Sequence, residues 1–218
     1  MVHAIVWSSK FHSDHTQGVV TMTVTQNTAP RTATLQGIRV TGIGLAVATA
    51  AWALCMTLIG DLEGFGWQTL VGGATAIAFQ IAIIRLLLLQ VRTNAMGTGR
   101  VAKGFYIAQF VFMAGALVSS TFDAFWLIQG TPVWAAFDMF WPLSMLGMVG
   151  IGVRIAIAGR WTGIVRWWTL WAQSWFVAAI PVVLIARDAG QVVGSVQLIA
   201  GYVVLGIILA KLGTVTPK

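Results

Sequence analysis

Two aspartates stand in a repeated setting. Phe122-Asp123-Ala124-Phe125-Trp126 and Phe137-Asp138-Met139-Phe140-Trp141 share the pattern Phe-Asp-x-Phe-Trp, and each sits in an apolar stretch. Between them lies the turn signal Gly130-Thr131-Pro132, in which Thr131 suits a helix cap and Pro132 the first helical position. The two Asp residues are equidistant from Gly130-Thr131. In an antiparallel helical hairpin they share one depth, roughly 11 Å below the tip at the helical rise. A carboxylate there costs a few kcal/mol, so it is expected to face the bundle interior, a partner or a water-filled cavity.

The neighbours of both residues are those of a polar pocket. Ser119 and Ser120 precede Asp123 by four and three residues and Trp126 follows by three, which places them on one helical face. Trp134 and Trp141 flank Asp138 in the same way. Pro142 cannot donate to the carbonyl of Asp138, so that residue offers a carboxylate and a freed carbonyl together. Two such carboxylates side by side would share a proton or a bound cation. Asp123, Asp138, Ser119, Ser120, Trp126, Trp134 and Trp141 are therefore the candidates for binding or protonation. The same residues also suit a structural lock, with indole N–H groups and serine hydroxyls bonded to the carboxylates. The residue pattern leaves both readings open.

A second group lies nearer the C-terminus. Trp168, Trp171 and Trp175 fall on one helical stripe, while Trp161, Trp167 and Trp168 suit an interfacial aromatic belt. Trp171, Gln173 and Trp175 are candidates to line a cavity for a hydrophobic or cationic ligand. Pro181 is expected to kink this helix and free the carbonyl of Val177. Asp61, Glu63 and Asp188 could form an acidic mouth, although solvated loop acids is the simpler reading.

Much chemistry has no residues to carry it. The three histidines, His3, His12 and His15, all precede the first apolar stretch, and Cys55 is the single cysteine. No haem, metal site or other cofactor is expected. There is no His-Glu-x-x-His, no phosphate-binding Gly-x-x-x-x-Gly-Lys loop and no Arg ladder. Lys211 lies at the end of the last apolar stretch, which makes a buried retinal Schiff base a poor fit.

The elements that must position these residues are membrane helices. Of 218 residues, 58% are hydrophobic and 9% charged, with a net charge of +7. Soluble domains carry roughly a quarter charged residues. Six apolar stretches, 38–59, 67–89, 105–128, 133–158, 164–185 and 192–210, are each near the ~20 residues that span a bilayer. Short loops join them as antiparallel hairpins. The expected fold is an all-α integral membrane bundle of six transmembrane helices at 38–210, with a flexible polar tail at 1–37 and a short tail at 211–218. No signal peptide is recognised in the tail, and Met22 is a candidate second start, which would make residues 1–21 dispensable. Small residues at four-residue spacing, Gly44/Ala48, Ala74/Ala78, Gly152/Ala156 and Gly206/Ala210, suit close helix packing.

Basic residues set the orientation. Twelve of the thirteen Lys and Arg residues fall in the N-terminal segment, in or beside the second-to-third and fourth-to-fifth connections, or after the last stretch; Arg187 alone falls elsewhere. The positive-inside rule then places both termini in the cytoplasm. It also accounts for the basic balance without nucleic acid as a partner.

The stretch from Phe137 through Trp141-Pro142-Leu143-Ser144 to Met148, with Ala158-Gly159-Arg160-Trp161 after it, resembles a group of multi-pass proteins of high-GC Gram-positive bacteria. That resemblance covers about the central third of the chain. It implies a bacterial inner-membrane location and brings no activity with it. The leading expectation is a small transporter or channel for a cation, a proton or a small amphipathic solute, working through the Asp pair. An enzyme acting on a lipid or isoprenoid substrate, with the Asp residues as general acid and base, is the less favoured alternative. A non-catalytic subunit of a larger complex is the third. The lipid bilayer is the expected surrounding, and a further copy or a membrane partner protein the expected neighbour.

Overall fold

The computed structural model describes residues 34–59, 64–212 and 215. Readings that fall on residues 1–33, on Asp61 and Glu63 and on the side chain of Asp188 lie outside the described residues. Among the described residues all regular structure is helical. The elements are α1 (Leu35–Ile59), α2 (Trp67–Arg92), α3 (Arg100–Ala124), α4 (Pro132–Asp138), α5 (Phe140–Ala158), α6 (Ile164–Gln173), α7 (Trp175–Ile185), α8 (Arg187–Leu198), a π turn (Ile199–Val203) and α9 (Val204–Lys211). They make six spans long and apolar enough to cross a bilayer, α4 with α5 and α6 with α7 each forming one span.

The spans form a ring. α1 packs on α2, α2 on α3, α3 on α4 and α5, α5 on α6, and α7 on α8; α1 closes the ring against α8, the π turn and α9. At its tightest point the closing seam is backbone against backbone. A Cβ on Gly42 would sit 2.5 Å from the Gly206 carbonyl oxygen, and one on Gly206 equally close to that of Gly42. This is the close approach that small residues permit between membrane helices. It bears out Gly206 and Ala210 as a packing pair, since the same Cβ on Gly42 would lie 2.6 Å from the Ala210 nitrogen. Gly44 faces open space, and Ala74 and Ala78 are exposed, so neither of those pairs is a packing seam. Gly152 does pack, against Leu170 and Gln173.

Helix interruptions follow from backbone hydrogen bonding. Pro142 cannot donate to Asp138, and the fourth span breaks there between α4 and α5. The fifth span breaks at Ser174, and α7 runs on through Pro181. The reason lies in the Trp171 carbonyl, which accepts from the backbone N–H of Ser174 at 3.3 Å, the Ser174 hydroxyl at 2.8 Å and Gln197 Nε2 at 3.1 Å. In the last span the Ala200 carbonyl, within the π turn, accepts the indole N–H of Trp168 at 3.1 Å. Trp167 is exposed, as an interfacial belt requires. Trp161 instead is fully buried and donates to Thr93 Oγ1 at 2.9 Å.

Candidate functional site

The hairpin between α3 and α4 is built as its sequence predicts at one end and differently at the other. Thr131 caps α4, its hydroxyl accepting from the Trp134 backbone N–H at 3.2 Å, with Pro132 in first position. α3, however, starts at Arg100 and stops at Ala124, four residues short of the expected end. The turn that follows is tight, with positive φ at Trp126 (53°), Ile128 (51°) and Gly130 (73°). A β-branched residue in the left-handed region is unusual and costs energy. Trp126 therefore does not share a helical face with Asp123.

Asp123 holds this turn. Its Oδ1 accepts from the Gln129 side-chain amide and from the Trp134 indole N–H, both at 2.8 Å. Trp134, expected beside Asp138, thus serves Asp123 across the hairpin. Asp138 is held differently. The groups acting on it are the Ser119 hydroxyl and the Asp123 carboxylate. Ser119 Oγ is fully buried and stops short of well-formed hydrogen-bond geometry. The repeated pattern has therefore separated into one carboxylate that locks the hairpin and one with little holding it.

Both carboxylates border a single open cavity of about 370 Å³. That volume accommodates on the order of ten waters. It lies where α1, α3 and the first part of α7 meet the starts of α2 and α5, at the end of the bundle opposite the basic connections. Ser120, Asp123, Asp138, Trp141 and Trp175 of the predicted residues are on its wall. The wall's hydroxyls are already bonded. Thr69 Oγ1 donates to the Gly66 carbonyl at 2.7 Å, and Ser120 Oγ accepts from Gln80 Nε2 at 2.9 Å and Trp141 Nε1 at 3.0 Å. The two carboxyl groups are the titratable acids on the wall, and the Ser120 hydroxyl keeps its own proton to donate.

Three indoles frame the opposite side. Trp52 stacks on Phe79 at 4.6 Å and on Trp141 at 5.2 Å, and tilts against Trp175 at 6.2 Å. Trp175 is fixed by donation from Nε1 to the Gly194 carbonyl at 2.8 Å. Phe79 meets Tyr202 edge-on at 5.6 Å, so the aromatic column continues below the cavity. Trp52 did not stand out among the candidate residues. Its signal was a Trp in the body of an apolar span, away from the interface where Trp is usually enriched.

Two of the three residues proposed for an aromatic cavity are elsewhere. Trp171 is 47% exposed on the outer surface of α6, and Gln173 is buried against Gly152. Neither borders the cavity: Gln173 points about 200° away from its second neighbour Trp175, and the break at Ser174 between α6 and α7 takes Trp171 out of the stripe it would share with Trp175 in a continuous helix. Trp175 alone of that group reaches it.

Chemically, the cavity pairs two carboxylates with indole surface and offers a cation both charge and π contact. Among the described residues no three His, Cys, Asp or Glu side chains come together in a metal-binding group. No family model, no curated protein and no solved structure matches this chain.

Proposed function

We propose that the protein is a small membrane carrier or channel for a cation, a proton or a small amphipathic solute, with Asp138 as the binding or protonation site. Asp123 is the locked carboxyl group beside it. The observation that carries this reading is the shared cavity, in which a loosely held carboxylate stands next to a locked one inside an apolar bundle. A carboxylate in a membrane span with few partners is expensive to keep, and function is the usual reason it is kept. The positive-inside rule puts the basic end in the cytoplasm and the cavity on the outer side of a bacterial inner membrane. Below the cavity wall, the buried Gln80 Oε1 has no hydrogen-bond partner among the described residues, and the Ser119 hydroxyl lies beside Asp138. They offer a solvated ion further polar contacts toward the bundle centre.

The test is flux through proteoliposomes holding the purified protein, with Rb⁺, a lipophilic amine and protons as the probes. At least one should move, and Asp138→Asn should slow it by about tenfold, equivalent to about 1.4 kcal/mol. Asp123→Asn, which keeps an acceptor for Trp134 and Gln129, should preserve the fold. If none of the probes moves while one still binds saturably, the carrier reading fails.

A further inference from the structure

The basic end of the bundle contains a second concavity, of about 460 Å³, between the α2–α3 connection and the end of α5. Arg100, Arg154 and Arg160 all line it, from the start of α3, the last turns of α5 and the α5–α6 connection. We propose that this groove binds the phosphate group of an anionic lipid.

The arginines are available. None of the three has a hydrogen bond or ion pair among the described residues. Arg166 at the same end is the contrast, since its guanidinium is spent on the Ala156 carbonyl and lies 4.9 Å from the Trp167 ring centre. The fold uses Arg166 to cap α5 and leaves the others free. Asp123 and Asp138 border the cavity at the other end, so neither compensates them. Three like charges around one concavity repel unless an anion lies between them. Guanidinium groups also match phosphate oxygens in bidentate geometry, which a diffuse cationic surface does not require.

The backbone adds to this. Gly97 turns through φ +99°, and Gly99 precedes α3 with no side chain to cap it and no acid in the first turn. The first N–H groups of a 25-residue helix are thus left without a side-chain acceptor at the groove. An anionic leaflet is the expected surrounding of a basic bundle end, which makes a lipid phosphate the occupant in reach.

The competing explanation is that these arginines set topology by charge alone. Native mass spectrometry of the wild-type protein, with phosphatidylglycerol or phosphatidylcholine added, separates the two. Phosphatidylglycerol should be retained at fixed stoichiometry and should raise the melting temperature by several degrees. Arg154→Gln with Arg160→Gln should lose both effects. Arg92→Gln with Lys103→Gln removes the same charge outside the groove and should keep them. Equal loss in both double variants would overturn the proposal in favour of diffuse charge. An equal rise with inorganic phosphate would overturn the lipid as its source. Failure of the wild-type protein to retain phosphatidylglycerol over phosphatidylcholine would overturn it without reference to any variant.

Discussion

Gly73 and Gly72 are consecutive residues on the cavity wall, and the structure gives them opposite tolerances. A Cβ on Gly73 would lie 2.2 Å from Ala124 Cβ and 2.7 Å from Ala124 Cα. Carbon atoms in good contact sit about 3.5–4.0 Å apart, so α2 and the end of α3 would have to separate by more than about 1 Å. Ala124 is the last residue of α3 and adjoins Asp123. The displacement therefore passes directly into the strained turn and the carboxylate that holds it. A Cβ on Gly72 meets nothing closer than Cys55 Sγ at 4.0 Å, which is ordinary contact. Overpacking of this kind costs about 1–3 kcal/mol. At about 2–4 °C per kcal/mol for a chain of this size, Gly73→Ala should melt roughly 2–12 °C below wild type. Gly72→Ala should melt within about a degree of wild type on the same scale. A tryptophan-fluorescence thermal ramp of the three proteins in one detergent decides the matter. If the two variants melt together, the close packing of α2 on Ala124 is wrong, and with it the placement of Asp123 on the cavity wall.

Three further outcomes are expected. Asp123→Ala strands the Trp134 indole and the Gln129 amide, so it should cost about 1–3 kcal/mol of stability while Asp138→Ala costs less, read in the same thermal ramp. Ile128→Asn replaces a β-branched residue at φ 51° with one that tolerates the left-handed region. It should raise the melting temperature by a few degrees, for about 1 kcal/mol of relieved backbone cost. Alkaline phosphatase fused at Gly130 should be active and the same enzyme fused after Lys218 inactive, and the reverse pattern would overturn the orientation drawn from the basic residues.

The six spans and their hairpin order were legible because bilayer thickness imposes a length on any apolar stretch, and Gly130-Thr131-Pro132 marks a turn by local chemistry alone. The end of α3 was not legible. Ala124 through Ile128 is as apolar as the helix before it, and nothing in apolarity tells a helix turn from the tip of a hairpin. The start was hidden for the complementary reason. Arg100 and Lys103 are polar enough to read as loop, yet α3 has already begun there. Which way a side chain faces was harder still. In a soluble helix the apolar stripe marks the core, but lipid accepts Trp171 as readily as the interior accepts Trp175. Trp52, Trp171 and Trp175 thus look alike in sequence and occupy a cavity wall, the lipid-facing surface and a cavity wall respectively.

The repeated Phe-Asp-x-Phe-Trp pattern was legible as a pair and illegible as a division of labour. Equal distance from the tip keeps both carboxylates at one end of the hairpin and on one cavity, although the Asp123 arm is a tight turn rather than helix beyond Ala124. What separates their roles is the turn. α3 unwinds after Ala124 and α4 winds at once from Pro132, so Gln129 and the Trp134 indole both fall within reach of Asp123. Asp138, a residue before the break that Pro142 imposes, gains no equivalent donors. The bland and the functional readings of the pair therefore do not compete. Under the proposed function, a locked carboxyl group fixes the geometry of the cavity, and the less constrained one beside it takes up the cation or proton. Breaking the lock should consequently damage stability first and transport second, whereas Asp138→Asn should do the reverse. Finding both variants equally stable and equally inactive would mean that the two carboxylates act as one unit.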